Sequence, residues 1–177
     1  MTTFAIILNG TSSSGKTSIA KEIQKQWNGV VLRVSLDDML QMVIDARRDN
    51  PVEINKALQF CVARHYEVLR SGRNSGFPVI LDSVLLRPEH RAETLSALEG
   101  IPQVLVGVKC ALEEAERREK ARSDRNAGTA RRQFENIHKE FQYDLEIDTE
   151  KISPAKAAES IISLVRVRAQ GWGMIAP

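Results

Sequence analysis

The stretch Phe4-Ala5-Ile6-Ile7-Leu8-Asn9-Gly10-Thr11-Ser12-Ser13-Ser14-Gly15-Lys16-Thr17 decides how the rest of the chain is read. Its apolar run, Phe4 to Leu8, stops at Asn9-Gly10, as a strand buried on both faces of a parallel sheet does. From Lys16 to about Trp27 the period becomes helical, with Ile19, Ala20, Ile23 and Trp27 on one side. Between the two, Gly10 to Thr17 meets the pattern GxxxxGK[ST] in full, and strand, loop and helix in that order are its working context. The glycines let the chain turn tightly enough for successive backbone N–H groups to face one phosphate chain, and the helix adds its positive N-terminus. Gly10, Thr11, Ser12, Ser13, Ser14, Gly15, Lys16 and Thr17 are therefore the candidate nucleotide-binding residues, the serines through their backbone. Lys16 is expected to reach the β- and γ-phosphates of ATP or a close relative, and Thr17 to offer its hydroxyl to Mg²⁺.

Outward from this loop, strands and helices alternate. Val30, Val31, Leu32 and Val34 read as a second strand, with Ser35 or Asp37 as the cap of a helix that packs Met39, Leu40 and Val43 inward. Pro51 opens a longer helix with Ile54, Leu58, Cys61, Val62, His65 and Leu69 at helical intervals, closed by Ser71-Gly72. Pro78 to Asp82 is a third strand, Gln103 to Cys110 a fourth and Leu145 to Asp148 a short fifth. Pro88 starts the helix between the third and fourth. The charged run from Leu112 to about Phe141 reads as helical apart from a break at Asn126-Ala127-Gly128. Ser153-Pro154 caps a last helix with the stripe Ala157, Ala158, Ile161, Ile162 and Val165. Such alternation predicts an α/β fold, a five-stranded parallel sheet with helices on both faces, as one domain over residues 1–177. Ligands of such sheets bind beyond the carboxyl ends of the strands, where Gly10, Asp37, Asp82 and Asp148 fall.

Composition narrows the function classes. The 25 Lys and Arg nearly balance the 23 Asp and Glu, so neither nucleic acid nor an anionic membrane is expected as partner. Cys61 and Cys110 form no framework or metal-type cluster, which fits a reducing cytoplasm. The N-terminus lacks a positive charge ahead of its apolar run, so it reads as a strand rather than a signal peptide, and no apolar stretch is long enough to span a bilayer. The apolar tail Gly171 to Pro177 is expected to pack on the domain or on a neighbouring subunit. The three histidines read as structural.

A base-reading Asn-Lys-x-Asp motif and a Gly-rich transporter signature are both absent. What remains is the layout of a small kinase, whose chemistry needs alignment and positive charge more than covalent help. Arg117, Arg118, Arg122 and Arg125 follow the fourth strand, where nucleoside-monophosphate-type kinases carry a mobile lid, here over about 112–130. Arg118, Arg122 and Arg125 are the favoured members; the bland reading is a solvated helix face. Asp37 either takes the proton of an attacking hydroxyl, orients it, or caps a helix, with Asp38 as its rival. Asp82 is placed to hold Mg²⁺ through water, or is a buried acid accepting backbone N–H groups. Thr149, after the last strand, is expected near the adenine.

The pieces Ile6 to Gly10, Ser12-Ser13, Gly15-Lys16, Asp37 and Ile80 to Val84 join a more specific set. These are Val106 to Cys110, then Glu116, Arg118, Glu119, Ala121-Arg122, Asp124-Arg125, Ala127-Gly128, His138, Tyr143-Asp144 and Glu146 to Thr149. On these residues the sequence resembles the chloramphenicol phosphotransferase family over nearly its whole length. The resemblance implies ATP-dependent phosphorylation of a hydroxyl on chloramphenicol, with Asp37 as the base, Mg²⁺ as metal and a homo-oligomer as assembly. The match fades between about Met39 and Arg73, the wall of the acceptor pocket. Asp37, Met39, Leu40, Phe60, Asp82 and Leu85 are the expected pocket residues, with Met42, Val43 and Leu86 near them; plain helix core is the competing reading. A sugar, nucleoside or nucleotide-sugar acceptor is the alternative within the same reaction class. A nucleotide-sensing regulator without phosphotransfer is the alternative outside it.

Overall fold

The computed structural model of the chain describes residues 3–43, 50–122 and 128–172. Arg125, the Asn126-Ala127 bend and the tail beyond Trp172 lie outside the described residues. The strands are β1 (Ala5–Asn9), β2 (Leu32–Ser35), β3 (Val79–Ser83), β4 (Gln103–Lys109) and β5 (Leu145–Asp148). The helices are α1 (Lys16–Gln26), α2 (Leu36–Leu40), α3 (Pro51–Arg73), α4 (Pro88–Ala97), α5 (Leu112–Lys120), α6 (Thr129–Phe134) and α7 (Pro154–Gly171). All strand pairs are parallel, in the order β2-β3-β1-β4-β5. The α/β architecture expected from the alternation is the one observed.

β1 lies in the middle of the sheet and is buried at every position. Its side chains alternate between two cores, as the pleat dictates. Ile6 and Leu8 join Ile19, Ile23, Val104, Val106, Val108, Ile161 and Val165 under α1 and α7. Ala5 and Ile7 join Tyr66, Leu69, Val79, Leu81 and Leu98 under α3 and α4. Trp172 packs against the first core, 5.9 Å from the Phe4 ring.

Local departures from the sequence expectation have local causes. Val30 is 56% exposed and precedes β2, which pairs with β3 only from Leu32. Ser35 is the N-cap of α2 but its hydroxyl makes no capping bond, and Met39, Leu40 and Val43 are only half-buried. Asn50 caps α3, its side chain accepting from the N–H groups of Val52 and Glu53, one residue ahead of the Pro51 signal. Ser153 caps α7 as expected, accepting from Lys156 N–H. The helix after the Gly128 break stops at Phe134 rather than running to Phe141. The Ile137 carbonyl is taken by the Asn9 amide at 3.0 Å, and Glu140 sits at a φ of 62°, outside the helical region.

Candidate active site

The turn from β1 into α1 is built for close approach. A Cβ on Gly10 would lie 2.3 Å from the Val108 carbonyl oxygen, so only glycine fits between β1 and β4. Ser13 and Gly15 take φ values of 62° and 103°, folding the loop back on itself. The Lys16 ammonium donates to the carbonyls of Gly10 and Thr11, both at 2.8 Å. The lysine is thereby stretched across the loop rather than into solvent, with 8% of its surface exposed.

Three elements hold the loop from outside. On α5, Arg118 donates through Nη1 to the Thr149 hydroxyl at 3.0 Å and through Nη2 to the Thr149 carbonyl at 3.3 Å. The Thr149 hydroxyl in turn donates to the Ser14 carbonyl at 2.9 Å. Thr149 is thus a brace of the phosphate loop, beside Gly15, whose Cβ would meet its Cγ2 at 3.3 Å. Arg117 and Arg118 both bind Glu114, and their hydrogen bonds hold that carboxyl down at about 2. On α6, Gln133 Oε1 accepts from Ser12 N–H at 2.7 Å, and the Ala130 carbonyl receives the Thr11 hydroxyl at 3.3 Å. The buried Glu119 fixes the start of α6, accepting from Gly128 N–H at 2.8 Å and Ala130 N–H at 2.9 Å.

Beneath the loop, Asn9 is a hub. Its amide donates to the Ile137 carbonyl and the Tyr143 hydroxyl, and its oxygen accepts from Leu85 N–H at 2.9 Å. Tyr143 OH lies 2.8 Å from His138 Nδ1. Burial pushes His138 down to about 4 and Tyr143 up to about 12, so both rings are neutral and share this one hydrogen bond. His65, buried on α3, is likewise pushed to about 4, by burial first and then by the charge of His90.

A cleft of about 1320 Å³ opens over the carboxyl ends of β1, β2 and β3. It is bounded on one side by Ser12, Ser13, Gly15, Lys16, Thr17, Arg118, Arg122 and Thr149, and on the other by α3 and α4. Asp37, in the first turn of α2, and Asp82, on β3, both face it. Asp82 is 4% exposed and pairs with Arg33 at 3.2 Å; Arg33 also binds Asp38, which does not line the cleft.

The far wall differs from the residues expected of it. Leu40 lines the cleft, but Met39, Phe60 and Leu85 do not. The α3 residues that do include Leu58, Val62 and Tyr66, four apart and so on one helix face, with Asn55, Gln59 and Ala63 beside them. Phe60 lies two residues away from Leu58 and Val62, hence on the opposite face; it is 57% exposed under the Arg64 guanidinium. Leu85 is buried in the second core and held through its N–H to Asn9. Met39 is half-buried, and its carbonyl accepts the Cys61 thiol. Leu86, Arg87, His90 and Glu93 complete the wall with Arg70 and Glu67.

Sequence reading passed over Arg33, Glu119 as a loop anchor, Tyr66 and Gln133. A charged residue inside the Val31–Val34 run was the signal for Arg33. Gln133 had none, because its partner Ser12 is 121 positions away.

Thr17 and Asp82 present hard oxygen donors to one cleft, a set suited to Mg²⁺. Among the described residues no group of three or more His, Cys, Asp and Glu could cage a metal alone, so the ion would share its ligands with nucleotide phosphates and water. No described helix is long and apolar enough to cross a membrane.

The model of the family described as chloramphenicol phosphotransferase-like protein matches residues 3–166. A provisionally named O-phosphotransferase of Mycobacterium tuberculosis is 31% identical over 166 residues, covering 81% of this chain and 74% of the relative. The fold is shared with the Mycobacterium tuberculosis APS kinase solved with AMPPNP and APS (TM-score 0.64, 20% identity, 93% of this chain and 98% of that one). It is shared also with a gluconokinase of Sinorhizobium meliloti (TM-score 0.63, 15% identity, 96% and 95%). A complete phosphate-loop pattern on a parallel sheet, a cleft joining it to two aspartates, and a family match spanning nearly the whole length agree: the chain belongs to the chloramphenicol phosphotransferase-like family and is a P-loop phosphotransferase of the kinase type.

Proposed function

We propose that this protein transfers the γ-phosphoryl group of ATP to a hydroxyl of chloramphenicol or a similar antibiotic, bound between α2, α3 and α4. One observation carries the reading: the phosphate loop and Asp37 face a single cleft whose far wall has an apolar strip, Leu40, Leu58, Val62, Ala63 and Leu86. Such a strip suits an aromatic acceptor. In the reaction the acceptor oxygen bonds to the γ-phosphorus as the bond to the β,γ-bridging oxygen breaks, and the hydroxyl proton passes to the Asp37 carboxylate. Lys16, Arg118, Arg122 and Arg125 balance the charge that spreads over the transferring group. The loop from Gly10 to Thr17 holds the triphosphate through its remaining amides, the Ser12 and Ser14 N–H groups being taken by Gln133 Oε1 and the Thr11 carbonyl, with Thr149 behind it. Thr17 and Asp82 would hold Mg²⁺, which when bound would supply neutralisation of the phosphate charge.

We read the chain as one kinase domain with an Arg-rich lid over about residues 112–130. Two buried free thiols, Cys61 and Cys110, accord with a reducing cytoplasm. The same wall also carries Arg70, Arg87 and His90, and this favours, as the second reading, a sugar, nucleoside or nucleotide-sugar acceptor bearing an anionic group.

Incubation with Mg·ATP and a panel of alcohols, with mass spectrometry for an 80 Da phosphoryl adduct (about the mass of HPO₃), tests both. Phosphorylated chloramphenicol supports the first reading, and a phosphorylated sugar or nucleoside the second. ATP binding without any product would point to the regulator.

A further inference from the structure

We propose that Gln133 is a phosphate-contacting residue of the nucleotide site, one carboxamide with two separate tasks. The inference deepens the kinase reading above and rests on it.

The argument starts from the Ser12 amide. A backbone N–H can only donate, so the Gln133 atom 2.7 Å from it is the acceptor Oε1. That fixes the orientation of the whole side-chain amide. The Nε2 amine, with two protons to give, is the end left over. Among the described residues it has no hydrogen-bond partner, and Gln133 lines the cleft together with Ser12, Ser13 and Lys16. A donor with a locked orientation, beside the loop built to receive a phosphate chain, meets an acceptor when phosphate oxygens arrive.

The mounting of Gln133 supports this role. α6 is pinned at its start by Glu119, which accepts from Gly128 N–H and Ala130 N–H. The Thr11 hydroxyl reaches back to the Ala130 carbonyl at 3.3 Å. Gln133 thus rides on a helix fastened to α5 through Glu119 and to the phosphate loop through Thr11, so the amide is held in position before the ligand binds. A neutral donor here adds hydrogen bonding without another cation beside Lys16, Arg118 and Arg122.

Two variants separate the tasks. Gln133→Glu keeps an acceptor for Ser12 N–H but replaces the amine with an anionic oxygen. Gln133→Met removes both functions at similar volume. Binding of Mg·ATP and of AMP, by calorimetry without any acceptor, is compared with thermal melting. The expected result is Mg·ATP affinity about tenfold or more weaker in Q133E, a larger loss than in Q133M, with the melting temperature of Q133E near that of the natural chain. Q133E binding within about twofold of the natural chain, or Q133M the weaker of the two, overturns the proposal, because Gln133 then only braces Ser12. If Q133E does not fold, Q133M carries the test. Unchanged Mg·ATP affinity overturns the donor, and a loss of about threefold or more that leaves AMP binding intact supports it. Failure of the natural chain to bind Mg·ATP would instead sink the kinase reading itself.

Discussion

The Thr149 hydroxyl donates to the Ser14 carbonyl at 2.9 Å, joining the loop after β5 to the phosphate loop across 135 positions of chain. Arg118 completes the unit by donating to the same hydroxyl. Thr149→Val keeps the shape and removes the hydroxyl, leaving the part-buried Ser14 carbonyl without that donor. It is expected to cost about 1–3 kcal/mol in urea unfolding and to weaken Mg·ATP binding. Arg118→Lys is expected to behave like a loss rather than a conservative change, since an ammonium cannot reach Glu114, Thr149 Oγ1 and the Thr149 carbonyl from one planar group.

Glu119 answers two backbone N–H groups at once, one buried and one part-buried. In Glu119→Ala both lose their acceptor, at about 1–3 kcal/mol each, and α6 loses its fixed start. Hydrogen exchange read at the amides of Gly128 and Ala130 should rise together, with weakened nucleotide binding as the second readout. Exchange unchanged at both amides would show that other groups hold α6.

Gly107 is held to glycine by an aromatic ring. A Cβ there would stand 2.7 Å from Cδ2 and Cε2 of Tyr143, whose ring stacks on Phe141 and whose hydroxyl serves Asn9 and His138. Gly107→Ala must push the ring away and open that network. The expected destabilisation is about 1–3 kcal/mol by thermal or urea unfolding. Gly107→Ala paired with Tyr143→Leu should recover part of it.

The two histidines near 4 set an acid limit. Unfolded, His65 and His138 take up protons as pH falls through their ordinary value of 6.5; folded, burial keeps them neutral down to about 4. Between those values the unfolded chain binds more protons. Stability therefore falls with falling pH in that window, at up to one proton per histidine, and these groups add nothing to the slope above it. Urea midpoints at pH 7, 5.5 and 4.5 measure the slope. His65→Leu and His138→Gln should each flatten it, and equal slopes in all three proteins would contradict the neutral buried imidazoles.

The legibility of the chain followed distance along it. Phe4 to Leu8, the Gly10–Thr17 pattern and the longer helical stripes are local signals, and the strands and the helices α1, α3, α4 and α7 they predict are present, whereas α2 stops short of Val43 and α6 short of Phe141. The pocket wall was read one helix face wrong: Leu58 and Phe60 are both apolar and both exposed, at 37% and 57%, and only the direction of their faces separates them, since a periodicity names a stripe without saying what faces it. Glu119 sat among arginines that mark a solvated surface, yet two amides 9 and 11 positions further along draw it inside. Gln133 and Thr149 act across the strand order, which local reading does not give.

In the proposed reaction Asp37 is the residue on which the chemistry turns. Its competing role, capping α2, is weakened by its position, because the N-cap is Ser35 and Asp37 lies one residue inside the first turn. There a carboxylate adds about 0.3–1 kcal/mol through the helix dipole, and the melting temperature of Asp37→Asn, read beside turnover, measures what the carboxylate contributes to the fold. Turnover separates the remaining two roles. A carboxylate that accepts the acceptor's proton should lose about 10²–10⁴ in kcat on becoming an amide, with KM for ATP nearly unchanged, since the phosphate loop is elsewhere. A group that only orients the hydroxyl should lose less than about tenfold, with the change mostly in KM for the acceptor. Steady-state kinetics of Asp37→Asn and Asp37→Ala with the acceptor found in the panel give the answer: an amide that rescues most of what alanine loses marks orientation, and an amide as inactive as alanine marks the base.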